Sequence, residues 1–335
     1  MLDSVLLNKG SYMSRVLRVG IGKKKLITPT YFPSISSVAI RLPLEPLLRA
    51  IIKSGYPRLL ISSYDLAHLP PESYKRISNH LSKFRAQNNF LFLDSGSFES
   101  YWLQDKKWNF NKYHRITNKT GSDFFTSFDN IPNLHDDYKD IVKQTYQNLT
   151  KSNRLIKNNH CITICHGNTP EQISSLVKKI VSDKSIFSRF IAIPERNCGK
   201  TIIDKLKTVQ KIRRILDEDN PANILHVLGC GNPISIVLFA LGGADSFDSI
   251  DWSRWTLDLR TLEFTDFALL PLMECKCKVC TIRNIDSTLR VLLHNLLFYQ
   301  EFLQELQQVI MYQDELKFLQ KYLDRKILSK IVNFF

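Results

Sequence analysis

Short apolar runs rich in β-branched residues alternate along the chain with amphipathic stretches of helical length. About eight of these runs have the length and composition of a buried strand. The predicted strands cover residues 25–30, 58–63, 90–94, 123–128, 161–166, 190–194, 223–229 and 245–249. The predicted helices between them cover residues 45–54, 72–86, 135–152, 170–181, 200–216 and 233–241.

The repeating order of strand, turn and helix indicates the fold class. Near-continuous apolar strands that alternate with helices are typical of parallel sheets covered by helices. Eight such units close naturally into a (β/α)8 barrel, the TIM barrel, so we predict this α/β fold; an open doubly wound sheet is the alternative. The cap candidates Thr169 and Asn232, each just before a proline, support two of the helix starts.

The pattern changes after the eighth predicted strand. Residues 269–280 carry a group of cysteines, and from about residue 286 onward apolar residues recur at helical spacing. We therefore predict a barrel of residues 1–268 and a C-terminal helical appendage of residues 269–335 that is packed on the barrel. The apolar positions that define the appendage are Leu289, Leu292, Leu293, Leu296, Leu297, Leu303 and Leu306.

The cysteines near residue 278 have the spacing of metal ligands. They read Cys275-x-Cys277-x-x-Cys280, and His294 is the nearest histidine downstream. Zinc prefers four tetrahedral nitrogen and sulfur ligands, and a Cys3His set leaves no open position. We therefore predict a structural zinc site in the appendage, with unligated surface thiols as the alternative. The remaining cysteines are expected to be small buried residues; they are Cys161, Cys165, Cys198 and Cys230.

Composition and charge narrow the class of protein. With 44% hydrophobic and 23% charged residues, the chain has the composition of an ordinary globular protein. Lys and Arg outnumber Asp and Glu by 46 to 32, which gives a net charge of +14. This excess favours a nucleic-acid partner. Because the basic residues are spread along the chain, general solubility charge stays open as an alternative.

Neither a membrane span nor an export signal is predicted. The longest strongly apolar stretch, residues 234–244, is shorter than the roughly 20 residues that cross a bilayer. The N-terminal residues lack the apolar segment and cleavage site of a signal peptide. An odd number of cysteines, 7, favours a reducing compartment over a disulfide framework. We therefore expect a cytoplasmic protein.

Acidic residues follow several of the predicted strands. In a parallel barrel the C-terminal strand ends meet at one mouth, where active sites lie. These ends carry Asp94, Asp129, His166, Glu195 and Asp248, with Gly229–Gly231 after the seventh strand. A single aspartate after a strand is usually a cap or a turn former. Several carboxylates around one cavity would raise one another's pKa, which indicates a functional site.

The same residues resemble the tRNA-guanine transglycosylase superfamily, which includes the queuine and archaeosine tRNA-ribosyltransferases, over nearly the whole chain. The cysteine cluster followed by a histidine-containing helix is the most specific match, and the end of the third strand is next. The matching segments are residues 28–33 (TPTYFP), 94–99 (DSGSFE), 121–123 (GSD) with 128–129 (FD), 166–167 (HG), 229–233 (GCGNP) with 247–248 (FD) and Arg254, and 275–280 (CKCKVC) with 294–300 (HNLLFYQ).

The resemblance implies a pentosyltransferase that exchanges guanine in a nucleic acid for a 7-deazaguanine base. Asp248 matches the family's nucleophile, which attacks C1′ and forms a covalent glycosyl-enzyme. Asp94 matches the acid/base residue that deprotonates the incoming base. Asp129 matches the aspartate that recognises the guanine-like edge. Ser95 and Arg254 match positions with supporting roles in base and backbone contact.

The chain departs from the family pattern in its base pocket. His166 occupies a base-contacting position where the family commonly has glutamine. Residues 193–196 (IPER) replace a glycine pair, and proline removes an N–H and fixes φ. Ser97 replaces a glycine, and the loop between Cys280 and His294 is shorter than usual. Tyr31 and Phe32 are expected to be packing residues.

These departures fit a DNA-acting paralogue that inserts 7-deazaguanines, and they fit equally a tRNA enzyme of unusual specificity. The expected partners are a nucleic acid, DNA or tRNA, and a 7-deazaguanine base, with a homodimer or helper proteins as further candidates. A non-catalytic nucleic-acid-binding or partner subunit is the alternative, although it would have no chemical reason to keep Asp94 and Asp248. A metal-dependent barrel hydrolase would need an open metal site, which the sequence does not offer.

Overall fold

The chain begins with a three-stranded antiparallel sheet in the computed structural model, which describes residues 3–10, 12–38, 42–155, 161–186 and 188–334. Its strands, in spatial order, are β1 (Asp3–Lys9), β2 (Arg15–Ile21) and β3 (Lys24–Ile27). The prediction of a first barrel strand at residues 25–30 is therefore wrong, because residues 25–27 belong to β3 and only Thr30 belongs to the first barrel strand. The barrel begins with the next apolar run, Thr30–Ile35. This strand contains Pro33, and proline is unusual in a central strand.

Eight parallel strands close into a barrel, in the order β10-β11-β4-β5-β6-β7-β8-β9. The closure confirms the predicted TIM barrel and excludes the open doubly wound sheet. A short antiparallel pair, β12 with β13, follows the barrel. The strands are β4 (Thr30–Ile35), β5 (Arg58–Ser62), β6 (Phe90–Asp94), β7 (Phe124–Thr126), β8 (Cys161–Ile164), β9 (Phe190–Pro194), β10 (Ile224–Leu228), β11 (Ser246–Ser249), β12 (Thr256–Leu257) and β13 (Phe264–Thr265).

Helices surround the barrel and form the C-terminal part of the chain. They are α1 (Leu44–Ser54), α2 (Ser63–Ala67), α3 (Pro71–Ala86), α4 (Ser97–Trp102), α5 (Phe110–Thr120), α6 (Tyr138–Leu155), α7 (Pro170–Ser182), α8 (Ile202–Asp219), α9 (Pro233–Leu241), α10 (Ser287–Tyr312), α11 (Glu315–Tyr322) and α12 (Arg325–Val332). The six predicted helices correspond to α1, α3, α6, α7, α8 and α9, while α2, α4 and α5 were not predicted. Among the described residues, no helix has the length and apolar character required to cross a membrane.

Local capping chemistry explains two helix starts that the sequence indicated. The side chain of Thr169 accepts a hydrogen bond from the backbone N of Gln172 at the start of α7. Asn232 caps α9 in the same way through the backbone N of Ser235. Both helices then begin with a proline, whose missing N–H would have no partner in the first turn. These caps fix where the segments after β8 and β10 turn back from the mouth of the barrel.

The inside of the barrel is filled by aromatic side chains. Phe32 lies edge-on to Phe92 and Phe124, with ring centroids 5.5 and 6.1 Å away. The same apolar cluster includes Leu17 and Val19 from β2. The antiparallel sheet therefore closes the N-terminal end of the barrel, and the C-terminal end is left open for a site.

A buried ion pair fastens this sheet to the barrel. Arg15 on β2 donates from Nε and Nη2 to the two carboxylate oxygens of Asp245, at 2.8 and 2.7 Å. Asp245 is 0% exposed, directly precedes β11, and also accepts from the backbone N of Leu225 at 2.8 Å. Arg213 contributes a second guanidinium at 3.4 Å. The carboxylate thus holds one end of β11 in place.

Helix α10 fastens the C-terminal part of the chain to the open end of the barrel. The ring of Tyr299 stacks on that of Tyr31 at 4.2 Å, and its hydroxyl donates to the carbonyl of Gly231 at 2.5 Å. Asn295 donates to the carbonyl of Trp252 at 2.8 Å. Tyr31 is fully buried, as predicted for a packing residue. The helix therefore touches the segments that follow both β10 and β11.

The buried ion pair generates a prediction about stability. We expect Asp245→Asn to lower the free energy of unfolding by about 3–5 kcal/mol, because it removes the fully buried carboxylate between two buried guanidinium groups and leaves them only the half-exposed carboxylate of Asp217. Urea denaturation followed by circular dichroism measures this change.

The matched control is Asp314→Asn, which removes a carboxylate from an exposed pair with Lys317 (49% and 78% exposed). Its effect should stay within about 0.5 kcal/mol. If the two variants were equally stable, the assignment of Asp245 as the residue that anchors β11 would be wrong.

Candidate active site

The C-terminal ends of the barrel strands enclose a cavity of about 310 Å³. This volume lies at the small end of the range for small-molecule sites, which is roughly 300–1,000 Å³. The cavity brings together all six residues that the sequence placed in a reacting or substrate-binding position. They are Asp94, Ser95, Asp129, His166, Asp248 and Arg254.

Asp248 lies at the mouth end of β11 and is surrounded by hydrogen-bond donors. Its Oδ1 lies 3.0 Å from Nε2 of His226 and accepts from the backbone N of Gly229 at 3.1 Å. Its Oδ2 accepts from the hydroxyl of Ser34 at 2.8 Å. The residue is only 8% exposed, and its exposed part faces the cavity. One oxygen is therefore held by two donors, and the other has a single donor.

Asp94 ends β6, which is three strands away from β11 around the barrel. Its Oδ2 accepts from the backbone N of Gly96 at 3.0 Å. Burial raises the pKa of Asp94 well above its ordinary value, and the carboxylates of Glu99 and Asp129 raise it further. Gly96 adopts φ 80°, and a Cβ there would lie 2.5 Å from the Cβ of Tyr64. Only glycine fits this turn, which explains the glycine in the DSGSF segment.

Glu99 is a buried acid that the sequence analysis did not single out, although it ends the DSGSFE segment. It lines the cavity, is 2% exposed and accepts hydrogen bonds from Ser36 and, at 2.7 Å, from Ser62. Burial raises the pKa of Glu99 to about 7, and the negative charge of Asp65 adds to this effect. The cavity thus holds a second carboxyl group that favours its protonated form.

Asp129 forms a hydrogen-bonded unit with two other predicted residues. The hydroxyl of Ser95 donates to its Oδ1, and Nε2 of His166 lies 2.6 Å from its Oδ2. The hydroxyl of Ser97 donates to the backbone carbonyl of Asp129 at 2.6 Å. The serine that replaces a family glycine therefore braces this unit. A carboxylate has about four acceptor sites, so Asp129 keeps capacity for a ligand.

Charged groups from two further segments complete the rim. Glu195, predicted as a rim acid, pairs with Nζ of Lys205 at 2.6 Å. Asp251, which the sequence analysis did not select, accepts from the hydroxyl of Ser249 at 2.7 Å, and burial raises its pKa. Arg254 lines the cavity with its guanidinium 5.6 Å from the centre of the Trp255 ring. The rim thus offers positive charge beside the carboxylates.

The predicted metal ligands come together beside the barrel. Nδ1 of His294 lies 3.6 Å from Sγ of Cys275 and 3.4 Å from Sγ of both Cys277 and Cys280. A tetrahedral ion with metal–sulfur and metal–nitrogen bonds of about 2.3 and 2.0–2.1 Å would place these atoms about 3.6 Å apart. Nε2 of His294 donates to the carbonyl of Leu257 at 2.9 Å, which leaves Nδ1 free to bind. The cluster is therefore compatible with one metal ion.

The other cysteines are not part of this cluster. Cys165, Cys198 and Cys230 are buried, as predicted, and Cys161 is partly buried. Burial raises the pKa of the Cys161 thiol to about 12, so this group is not a reactive thiolate.

A closed parallel barrel with convergent carboxyl groups at its C-terminal mouth, joined to a Cys3His cluster, has the architecture of a barrel enzyme with a closed metal site. The family model described as queuine tRNA-ribosyltransferase matches residues 11–326. The chain therefore belongs to the queuine tRNA-ribosyltransferase family, as the resemblance had indicated.

Similar proteins are found among archaea and bacteria. The chain is 24% identical to the tRNA-guanine(15) transglycosylase of Methanopyrus kandleri over 293 residues, which is 82% of this chain and 60% of the relative. It is also 24% identical to the queuine tRNA-ribosyltransferase of Streptococcus pyogenes serotype M5 over 350 residues, 89% of each chain. The chain thus spans about three fifths of the archaeal relative and most of the bacterial one.

The buried carboxyl of Glu99 generates a prediction about pH dependence. A raised pKa means that the stability contributed by the protonated group is fully present below its ordinary value of 4.5 and is lost as pH rises through about 7. We expect Glu99→Gln to flatten the pH dependence in this window and to raise the free energy of unfolding at pH 8 by about 1–3 kcal/mol. Urea denaturation at several pH values measures both effects.

The control is Glu301→Gln, on the exposed face of α10. Its free energy of unfolding should depend on pH as steeply as that of the wild type. A Glu99→Gln protein with that same slope would show that Glu99 is ionised throughout the window.

Proposed function

We propose that this chain is a guanine transglycosylase, which exchanges a guanine in a nucleic acid for a 7-deazaguanine base through a covalent aspartyl-glycosyl intermediate. The observation that carries the proposal is the single cavity shared by Asp94, Asp129 and Asp248 at the mouth of the barrel. Two carboxyl groups in two protonation states are what a double displacement at a sugar carbon requires. The names of the relatives point to the same class of reaction.

Asp248 is the nucleophile in this proposal. Oδ1 is occupied by two donors, so Oδ2, with Ser34 as its donor, is the oxygen that attacks C1′. The new C1′–O bond forms as the bond from C1′ to the base nitrogen breaks, and the electron pair leaves with guanine. In the second step the incoming base attacks C1′, and the C1′–O bond returns its electrons to the carboxylate.

Asp94 is the acid and base for both steps. Its raised pKa favours the protonated form, which suits a group that gives a proton to the departing guanine. The same carboxylate then takes the proton from the ring nitrogen of the incoming base. The proton count is therefore unchanged over one exchange. Glu99 lies in the same buried cavity, and when it is ionised its charge raises the pKa of Asp94 further.

The unit of Asp129, Ser95 and His166 is proposed to read the base. The free acceptor sites of the Asp129 carboxylate suit the ring N–H and amine of a guanine-like edge. Nε2 of His166 lies 2.6 Å from Oδ2 of Asp129. A glutamine in place of His166 would contact this oxygen with a different geometry. This change is the reason to compare several 7-deazaguanines as substrates.

A polynucleotide is the proposed second substrate. The net charge of +14 attracts phosphates, and Arg196 and Arg254 line the cavity where the sugar would lie. The target nucleotide must leave its stack to reach Asp248. The names of the relatives favour tRNA. The short connection from Cys280 to α10 and the His166 pocket favour DNA, so both polymers belong in the assay.

We also propose that the ion of the Cys3His cluster is zinc in a structural role. Three thiolates and one imidazole are the ligands that zinc prefers, and four protein ligands leave no position for a substrate. The barrel and the appendage, divided at about residue 268, are proposed to act as one catalytic unit.

The exchange reaction tests the central proposal. Radiolabelled guanine is incubated with the protein and either bulk tRNA or duplex DNA, and acid-insoluble label is counted. We expect incorporation by the wild type, a loss of at least about 10⁴-fold for Asp248→Asn, and a loss of about 10²–10⁴-fold for Asp94→Asn. A polymer adduct that survives denaturing electrophoresis should form with the wild type and be absent from Asp248→Asn.

The matched control is again Asp314→Asn, which should keep full activity because Asp314 lies at the start of α11, outside the cavity. Incorporation that persists in Asp248→Asn would disprove the covalent mechanism. A protein that binds either polymer but incorporates no label would instead be the non-catalytic subunit.

The metal assignment has its own test. Elemental analysis should find one zinc per chain, and Cys277→Ser should lose the zinc and melt at a lower temperature. Cys161→Ser, outside the cluster, should retain the metal. Full zinc in Cys277→Ser, or a different metal in the wild type, would contradict the assignment.

A further inference from the structure

A fully buried histidine lies behind the carboxylate of Asp248, inside the barrel. His226 on β10 is 0% exposed, and its ring packs against Phe92 and Phe190 with centroids 5.4 and 6.2 Å away. Its Nδ1 lies 2.6 Å from the hydroxyl of Ser246, and its Nε2 lies 3.0 Å from Oδ1 of Asp248. A polar ring surrounded by phenylalanine is costly to bury unless both nitrogens have partners, and here both do.

The arrangement fixes which nitrogen faces the carboxylate as a donor. A carboxylate accepts hydrogen bonds, so Nε2 carries the proton that points to Asp248. The hydroxyl of Ser246, which can donate or accept, is the partner of Nδ1. Ser246 and Asp248 are two residues apart on β11, so both side chains point into the barrel on the same face of the strand. His226 pairs across the sheet with Ser246.

We propose that His226 is a positioning residue for the nucleophile, an inference that rests on the proposed function because it takes Asp248 as the attacking group. By holding Oδ1 from inside the barrel, His226 turns Oδ2 toward the cavity. In the first step it keeps the attacking oxygen in place. In the second step it stabilises the charge that returns to the carboxylate when the C1′–O bond breaks. The histidine itself does not touch the substrate.

Two substitutions separate positioning from packing. His226→Phe keeps a flat ring among aromatic neighbours and removes both hydrogen bonds. His226→Gln removes the ring, but the amide nitrogen of glutamine can take the place of Nε2 as a donor to Asp248. If His226 only fills space, phenylalanine should be the better substitute. If it positions Asp248, glutamine should be.

We expect kcat for guanine exchange to fall about 10- to 100-fold in His226→Phe, the size of one hydrogen bond to a charged group. The KM for guanine should change less than about twofold, because His226 makes no contact with the base site. His226→Gln should recover most of the lost kcat. Formation of the denaturation-resistant polymer adduct should slow in His226→Phe by the same factor as kcat.

A measurement that needs no activity keeps the inference separate from the proposed function. A double-mutant cycle of His226→Phe and Asp248→Ala, scored by chemical unfolding, should be non-additive because each single variant removes the hydrogen bond that the two side chains share. Additive effects, or a His226→Gln protein no more active than His226→Phe, would overturn the inference. A wild type that performs no exchange would overturn the proposed function, and the cycle alone would then decide whether His226 holds Asp248.

Discussion

The main constraint on this structure is that several carboxyl groups are buried together at one end of a closed barrel. Parallel closure places the C-terminal ends of all eight strands at one mouth, so carboxyl groups distant in sequence share one cavity. Ionising several neighbouring carboxyl groups in a poorly solvated space is unfavourable, because burial and mutual repulsion both oppose the negative charge. Burial raises the pKa of three of the groups, which are Asp94, Glu99 and Asp251. Asp129 and Asp248 are instead surrounded by donors that solvate a negative charge. The cavity thus contains carboxyl groups in two different environments.

The far end of the barrel contributes to this separation. β11 has Asp245 at its start and Asp248 near its end, a distance of about 10 Å at roughly 3.3 Å per residue. Arg15 holds the first carboxylate through two hydrogen bonds, and His226 contacts the second from the barrel interior. The segment is therefore held both at Asp245, just before β11, and at Asp248 within the strand. The N-terminal sheet, although remote from the cavity, supplies one of these fixed points.

The sequence predicted the barrel because its strands and helices differ in period, and it predicted the cavity because the candidate site residues stand at strand ends. It misplaced the first strand because two apolar runs follow each other, and the earlier one belongs to the antiparallel sheet as β3 while the later one is β4. It missed Glu99 and His226 for a different physical reason. Each is a polar residue whose place is set by partners from other strands, such as Ser62 for Glu99 and Asp248 for His226. Hydrogen bonds between residues distant in sequence produce no periodic pattern of polar and apolar positions, so they become visible only in the folded structure.

The Cys3His cluster does not line the cavity, but helix α10 connects the cluster to segments that do. His294 binds the cluster, and the next residue, Asn295, donates to the carbonyls of Trp252 and Trp255 and accepts from the backbone N of Leu257. That segment follows β11 and contains Arg254, which lines the cavity. One helical turn later, Tyr299 binds the carbonyl of Gly231 after β10. A metal that fixes the start of α10 therefore also fixes the segments on both sides of Asp248. Because four protein ligands close the coordination shell, this mechanical connection is how the ion would affect the reaction.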